Sequence, residues 1–239
     1  MSGHSKWSKV KHQKATTDAV KSQSFTKASR GLTVAVREGG GITDPEKNFH
    51  LRLAIEFARS VNMPKDTIER AIEKGAGVGA AAYETLVYEG YGPGGVAYLV
   101  VAATDNHQRT GSEVKHQFDR AGGTLATPGA VTYQFRKNGV ILVPKTGRSF
   151  DDMVDMVIRL GGDDVIEQDD VYEIYTAATE LSRVKSQLED EGVVIELTEL
   201  IMRASTPVAP TDEIRAKNDA LVAVLESLDD VQKVYTTME

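Results

Sequence analysis

The stretch Gly3-His4-Ser5-Lys6-Trp7-Ser8-Lys9-Val10-Lys11-His12-Gln13-Lys14 concentrates chemistry that suits a polyanion. Four lysines and two histidines surround the only tryptophan of the chain, and no carboxylate appears before Asp18. Lysines release counterions when they meet phosphates, and an indole or imidazole ring offers a face on which an unpaired base stacks. Lys6, Lys9, Lys11 and Lys14 are therefore candidate phosphate contacts, and His4, Trp7 and His12 candidate stacking or polar contacts. The plainer alternative is a solvated, frayed terminus. Lys21, Lys27 and Arg30 extend the basic face into the next segment.

Other groups offer less. The pairs Asp151-Asp152, Asp163-Asp164, Asp169-Asp170 and Asp229-Asp230 could hold Mg²⁺ or divide acid and base roles. Each falls at the end of an expected element, where aspartate serves capping and the helix dipole, so a structural role is expected. His4 and His12 form an incomplete metal-ligand set, and His107 and His116 lack i,i+4 spacing. Gly92-Pro93-Gly94-Gly95 and Gly75-Ala76-Gly77-Val78-Gly79 match no nucleotide-binding loop. Gly92 to Gly95 or Gly122-Gly123 could cradle an anion beside Arg109 or Lys115, although turn formation explains them equally well. Cysteine is absent, which excludes disulfides, thiolate nucleophiles and cysteine-bearing zinc sites. No enzyme, cofactor or metal is expected.

Periodicity predicts the helices and strands that carry these groups. Phe25, Ala28, Leu32 and Val36 recur at helical spacing, predicting a helix over 23–36 that ends at Gly39-Gly40-Gly41. A second helix is expected over 45–60. A third is announced by Asn62 as cap and Pro64 in the first turn, buries Ile68, Ala71 and Ile72, and stops at Lys74-Gly75. Strands are expected over 83–89 and 96–104, the second covered on both faces, then a helix capped by Asp105 or Asn106 that turns Val114 and Phe118 inward, then a strand over 131–135. From 140 the order is strand (140–143), helix (150–160), strand (165–167), strand (171–175), helix (178–189), strand (193–197), which is the ferredoxin-like unit. A helix over 211–228 and a strand over 231–236 close the chain.

The predicted class is α+β, with a basic arm and helical bundle followed by two α/β-type domains, one inserted in the other. The expected division is 1–77, a discontinuous 78–137 plus 204–239, and an insertion at 138–203. Charge follows it: residues 1–75 carry a net +6 and the remainder −13, within a total of −7. A basic module attached to an acidic body suits a nucleic-acid partner, and the acidic surplus keeps the body soluble. The segment after Met1 has no apolar export core, and the longest apolar run, 95–103, is too short for a bilayer, so a cytoplasmic protein without a membrane partner is expected.

Several motifs occur in order over roughly the first 140 residues: Gly3-His4-Ser5-Lys6-Trp7, Lys11-His12-Gln13-Lys14-Ala15, Phe25-Thr26-Lys27, Gly39-Gly40-Gly41, Asn62-Met63-Pro64-Lys65-Asp66, Ile68-Glu69-Arg70-Ala71-Ile72, Glu89-Gly90-Tyr91-Gly92-Pro93-Gly94-Gly95 and Thr104-Asp105-Asn106. Together they make the chain resemble the YebC family, which includes the mitochondrial translational activator of cytochrome oxidase. It departs from the family pattern at Gln23-Ser24, Phe49-His50 and His107-Gln108. The resemblance implies three domains and a non-enzymatic regulator of gene expression. Two partners follow from it: a ribosome or other RNA, with relief of stalling on proline-rich sequence, or DNA, with transcriptional regulation. The first is favoured, because no segment reads as a helix aiming Arg, Asn or Gln at base edges.

Overall fold

The computed structural model describes residues 18–77 and 83–239, with the side chains of 18–22 excluded. These residues divide into two compact units, one formed by 18–77, 83–135 and 204–238, the other by 136–203.

The first unit begins with three helices, α1 (Asp18–Glu38), α2 (Phe49–Ser60) and α3 (Lys65–Ala76). Their apolar stripes close on one core of Ala28, Leu32, Val36, Leu51, Ile55, Met63, Ile68 and Ala71, with Phe25 and Ile72 packed at its border. The glycine run ends α1 as expected: Gly40 and Gly41 take φ of 70° and 82°, and Gly41 N–H donates to Val36 O at 2.9 Å. Helix α2 starts at Phe49 rather than near Pro45, because the buried Asn48 caps it, accepting from Leu51 N–H. Asn62 does not cap α3. It sits in the left-handed region at φ 61°, and Pro64 takes the N-cap position without a side-chain bond. Gly75 does not stop α3 either. It lies inside the helix where α3 meets α1, and an added Cβ would come within 2.8 Å of Thr33 O and Val36 Cβ.

A four-stranded sheet follows, built from β1 (Glu84–Tyr91), β2 (Ala97–Thr104), β3 (Thr124–Ala126) and the late β8 (Val231–Thr236), in the order β3-β1-β2-β8. The apolar run of β2 makes it an interior strand, antiparallel to β1 and β8. Helices α4 (His107–Ala121) and α7 (Asp212–Ser227) belong to this unit, and Val114, Phe118, Leu221 and Leu225 join Tyr98, Val100 and Val234 in one core. Asn106 caps α4, accepting from Arg109 N–H. Tyr98 donates to Asn218 Oδ1 at 2.7 Å and meets Phe118 edge-on at 5.4 Å.

Residues 131–135 are not the strand the sequence predicts. The buried Glu89 carboxylate accepts N–H bonds from Gly129 (2.6 Å), Val131 (2.7 Å) and Thr132 (2.9 Å), so this backbone is tied to a side chain instead of a neighbouring strand. The chain makes a 3₁₀ turn over Thr132–Gln134 and becomes a strand only at Phe135, while the short β3, which the sequence reading lacks, fills the sheet edge.

The second unit holds β4 (Phe135–Pro144, from its second residue), α5 (Phe150–Leu160), β5 (Asp164–Glu167), β6 (Val171–Ala177), α6 (Leu181–Asp190) and β7 (Leu197–Ala204, up to Arg203). The sheet order β5-β6-β4-β7, with β6 antiparallel to both β4 and β5, is that of the ferredoxin-like sequence of elements. The last strand begins at Leu197, not Val193. Gly192 turns left-handed at φ 75°, and Val193 N–H returns to Leu188 O at 2.9 Å, so the apolar run closes α6 before the strand starts.

Candidate nucleic-acid interface

His4, Lys6, Trp7, Lys9, Lys11, His12 and Lys14 lie outside the described residues. Lys21 belongs to the first turn of α1 (Asp18–Glu38). Lys27 and Arg30 lie two turns further on. Their positive groups face the rest of the unit: Lys27 Nζ donates to Glu226 O, and Arg30 Nη1 bonds Asp229 O and pairs with Asp230 Oδ1 at 2.8 Å. These contacts fasten α1 to the end of α7 and the turn into β8. The basic stripe is thus partly an anchor.

Asp230 is the hub of that anchor. It is 3% exposed and accepts from Arg109 Nη2 (2.7 Å), Thr110 Oγ1 (2.6 Å) and Thr104 Oγ1 (3.2 Å) besides Arg30, while its backbone O accepts from Ala103 N–H at 2.8 Å. Burial pushes this carboxyl upward. The hydrogen bonds from Thr110 and Arg109, and the charges of Arg30 and Arg109, outweigh burial and hold it below the usual carboxylate range. The same pairing, with Asp105, raises Arg109. Asp230 therefore does more than the end-capping expected for the Asp229-Asp230 pair, and its partners are distant in sequence. The other acidic pairs remain at element ends, with Asp152 N–H on the Ser149 cap and Asp164 paired to Arg203 at 2.7 Å.

Beside the anchor is an open cleft of about 360 Å³ lined by Phe25, Thr26, Ser29, Arg30, Thr33, Lys74 and Tyr83. Helix α1 supplies one wall, the last turn of α3 another, and the residue before β1 the third. The Arg30 guanidinium lies 5.5 Å and the Lys74 ammonium 5.1 Å from the Tyr83 ring centroid, and Arg37 Nη1 reaches Tyr83 O at 3.5 Å. Three cations thus converge on one tyrosine. Phe25 was legible as a helix-face residue and Lys74 as a last-turn cation, but no sequence signal links either to Tyr83 across the intervening segment.

The glycine loops spend backbone N–H groups on their own turns: Gly92 N–H donates to Val96 O, Gly95 to Gly92 O, Gly122 to Asp119 O and Gly123 to Phe118 O. Those four donors are committed to the turns themselves, which accords with glycine's turn-forming role there. Among the described residues no group of three His, Cys, Asp or Glu could hold a metal ion, and no helix is long and apolar enough to cross a membrane. His107 pairs with Glu84 at 2.9 Å on the surface.

These features define an α+β protein that carries a basic, aromatic-lined helical region beside an antiparallel sheet, together with a ferredoxin-like unit. The N-terminal domain of the TACO1/YebC protein matches residues 5–78, and the TACO1/YebC second and third domain matches residues 83–238. The chain belongs to the YebC family. Similar proteins from Chloroflexus aggregans and Persephonella marina are each 48% identical over 242 aligned positions, spanning 100% of this chain and 96% of theirs. Both are named "Probable transcriptional regulatory protein". A crystal structure of a conserved hypothetical protein from Aquifex aeolicus superposes with a TM-score of 0.89 at 42% identity, covering 98% of this chain and 97% of that one.

Proposed function

We propose that this protein is a non-enzymatic, nucleic-acid-binding regulator of gene expression that works on RNA, as a ribosome-associated translation factor relieving stalling on proline-rich sequence. The observation that carries the reading is the net +6 of residues 1–75, set against −13 over the rest, with the single tryptophan inside the lysine-rich opening. Such a segment attracts phosphate from any nucleic acid, but its rings gain only where bases are unpaired. Duplex reading by α1 is disfavoured, because Lys27 and Arg30 are turned toward Glu226 and Asp230 rather than toward a groove.

The second reading is a DNA-binding transcriptional regulator, favoured by the names of the two relatives. Competition at fixed ionic strength separates the two. Ribosomes or structured RNA should displace a bound promoter duplex, and removal of residues 1–17 should impair translation of proline-rich reporters. A promoter duplex that outcompetes ribosomes and keeps its sequence preference across salt, with reporters unaffected by the truncation, would replace the first reading by the second.

A further inference from the structure

We propose that the cleft lined by Phe25, Ser29, Arg30, Thr33, Lys74 and Tyr83 is a binding site for one unpaired nucleotide of single-stranded RNA. The proposal rests on the RNA reading above and gives it a place on the molecule. Its volume of about 360 Å³ lies at the small end of ligand sites and suits one nucleotide better than a duplex. Among the described residues the lining holds two aromatic rings and two cations and no carboxylate, so an anion with a flat apolar part is the matching ligand.

The two cations have different roles. Arg30 is fixed by Asp230, which balances its charge and holds its guanidinium near the Tyr83 ring. It is a stacking wall. Lys74 is exposed, and among the described residues it has no carboxylate partner. Its contact with Tyr83 is an exposed cation–π contact, which is weaker than stacking of a base on an aromatic ring. An entering base therefore displaces the ammonium from Tyr83, and the flexible lysine moves onto the phosphate. Thr33 Oγ1 is committed to Ser29 O and Ala71 O. The Ser29 hydroxyl, unlike its carbonyl, makes no hydrogen bond among the described residues and is assigned to the ribose 2′-OH.

The test is anisotropy of a fluorescein-labelled oligouridylate with the full chain, followed by ultraviolet crosslinking and peptide mapping. Tyr83→Leu should weaken binding about tenfold while Tyr83→Phe retains it. Lys74→Gln should flatten the dependence of log K on log salt by about 0.7. Crosslinks should map to the peptides holding Phe25 or Tyr83, and a deoxy oligomer should bind more weakly. If Tyr83→Leu does not fold, Lys74→Gln on the exposed helix end and the crosslink map still decide. Wild-type binding that survives both cleft variants but is lost when Lys6, Lys9, Lys11 and Lys14 become Ala would overturn the cleft and leave the RNA reading standing. Equal affinity for the deoxy oligomer would overturn the ribose contact. No wild-type binding to oligouridylate or ribosomes would overturn both readings.

Discussion

Replacing Asp230 by Ala should destabilise the first unit through the charges it leaves behind. The carboxylate is 3% exposed and receives four side-chain hydrogen bonds, two from arginines. Breaking a buried ion pair from one side costs about 3 to 5 kcal/mol, because the remaining charge stays desolvated. Arg30 fits that case with its side chain 16% exposed, whereas Arg109 is 45% exposed and keeps Asp105 as a second partner, so solvent screens its loss. The expected cost is therefore near the lower limit, about 3 kcal/mol. Urea denaturation followed by far-ultraviolet circular dichroism reads it as a lower midpoint for one of two transitions. The Arg30→Ala, Asp230→Ala double-mutant cycle should show a coupling above about 1 kcal/mol, since the side chains bond directly. Because the Asp230 pKa is lowered in the folded state, its contribution is present above the unfolded value of about 3.9 and is lost as pH falls through the folded value. The gap between wild type and variant should thus close in acid. A cost below about 1 kcal/mol at neutral pH, or an additive cycle, would refute the anchor.

Glu89 should show the same sign of pH dependence. Burial raises its pKa, but the N–H bonds from Gly129, Val131 and Thr132 outweigh burial and hold it at about 2, so stability should fall as pH drops from its ordinary value of 4.5 toward 2. Glu89→Gln, measured by thermal melts at neutral pH, should cost about 2 kcal/mol and remove that slope, because the amide replaces one acceptor oxygen by a donor facing N–H groups. Gly75→Ala should cost about 1 to 3 kcal/mol by urea denaturation, since the added Cβ meets the Thr33 backbone and the Val36 side chain; an unchanged midpoint would contradict the close approach of α1 and α3. Changing Lys6, Lys9, Lys11 and Lys14 to Ala should leave melting unchanged and lower the salt slope of nucleic-acid binding by about 0.7 to 0.9 per lost phosphate contact. Trp7→Ala should reduce binding without lowering Tm, and a large fall in Tm would place the indole in a core.

Elements whose signal is local can be read from the order of residues alone. The period of Phe25, Ala28, Leu32 and Val36, the order of strands and helices from 140 onward, and the apolar run of β2 each reflect neighbours within one helix or strand, so side-chain spacing suffices to read them. Charge asymmetry and the lysine-tryptophan opening are likewise legible, because composition needs no partner. Tertiary structure decided what depends on distant groups. Glu89 turned an apparent strand at 131–135 into a bound loop, and Val193 closed a helix because Leu188 O was within reach. Gly75, a stop signal in sequence, became a packing contact where two helices cross. Asp230 looked like one of four acidic turn pairs, yet Arg30, 200 residues away, and Arg109, 121 residues away, make it an anchor. Tyr83 acquired its cations the same way, since α1 and α3 converge on it only after their apolar stripes have closed on a common core. A hydrophobic stripe fixes which face of a helix turns inward, but which polar groups then meet is set by packing between segments, and no spacing along the chain encodes it.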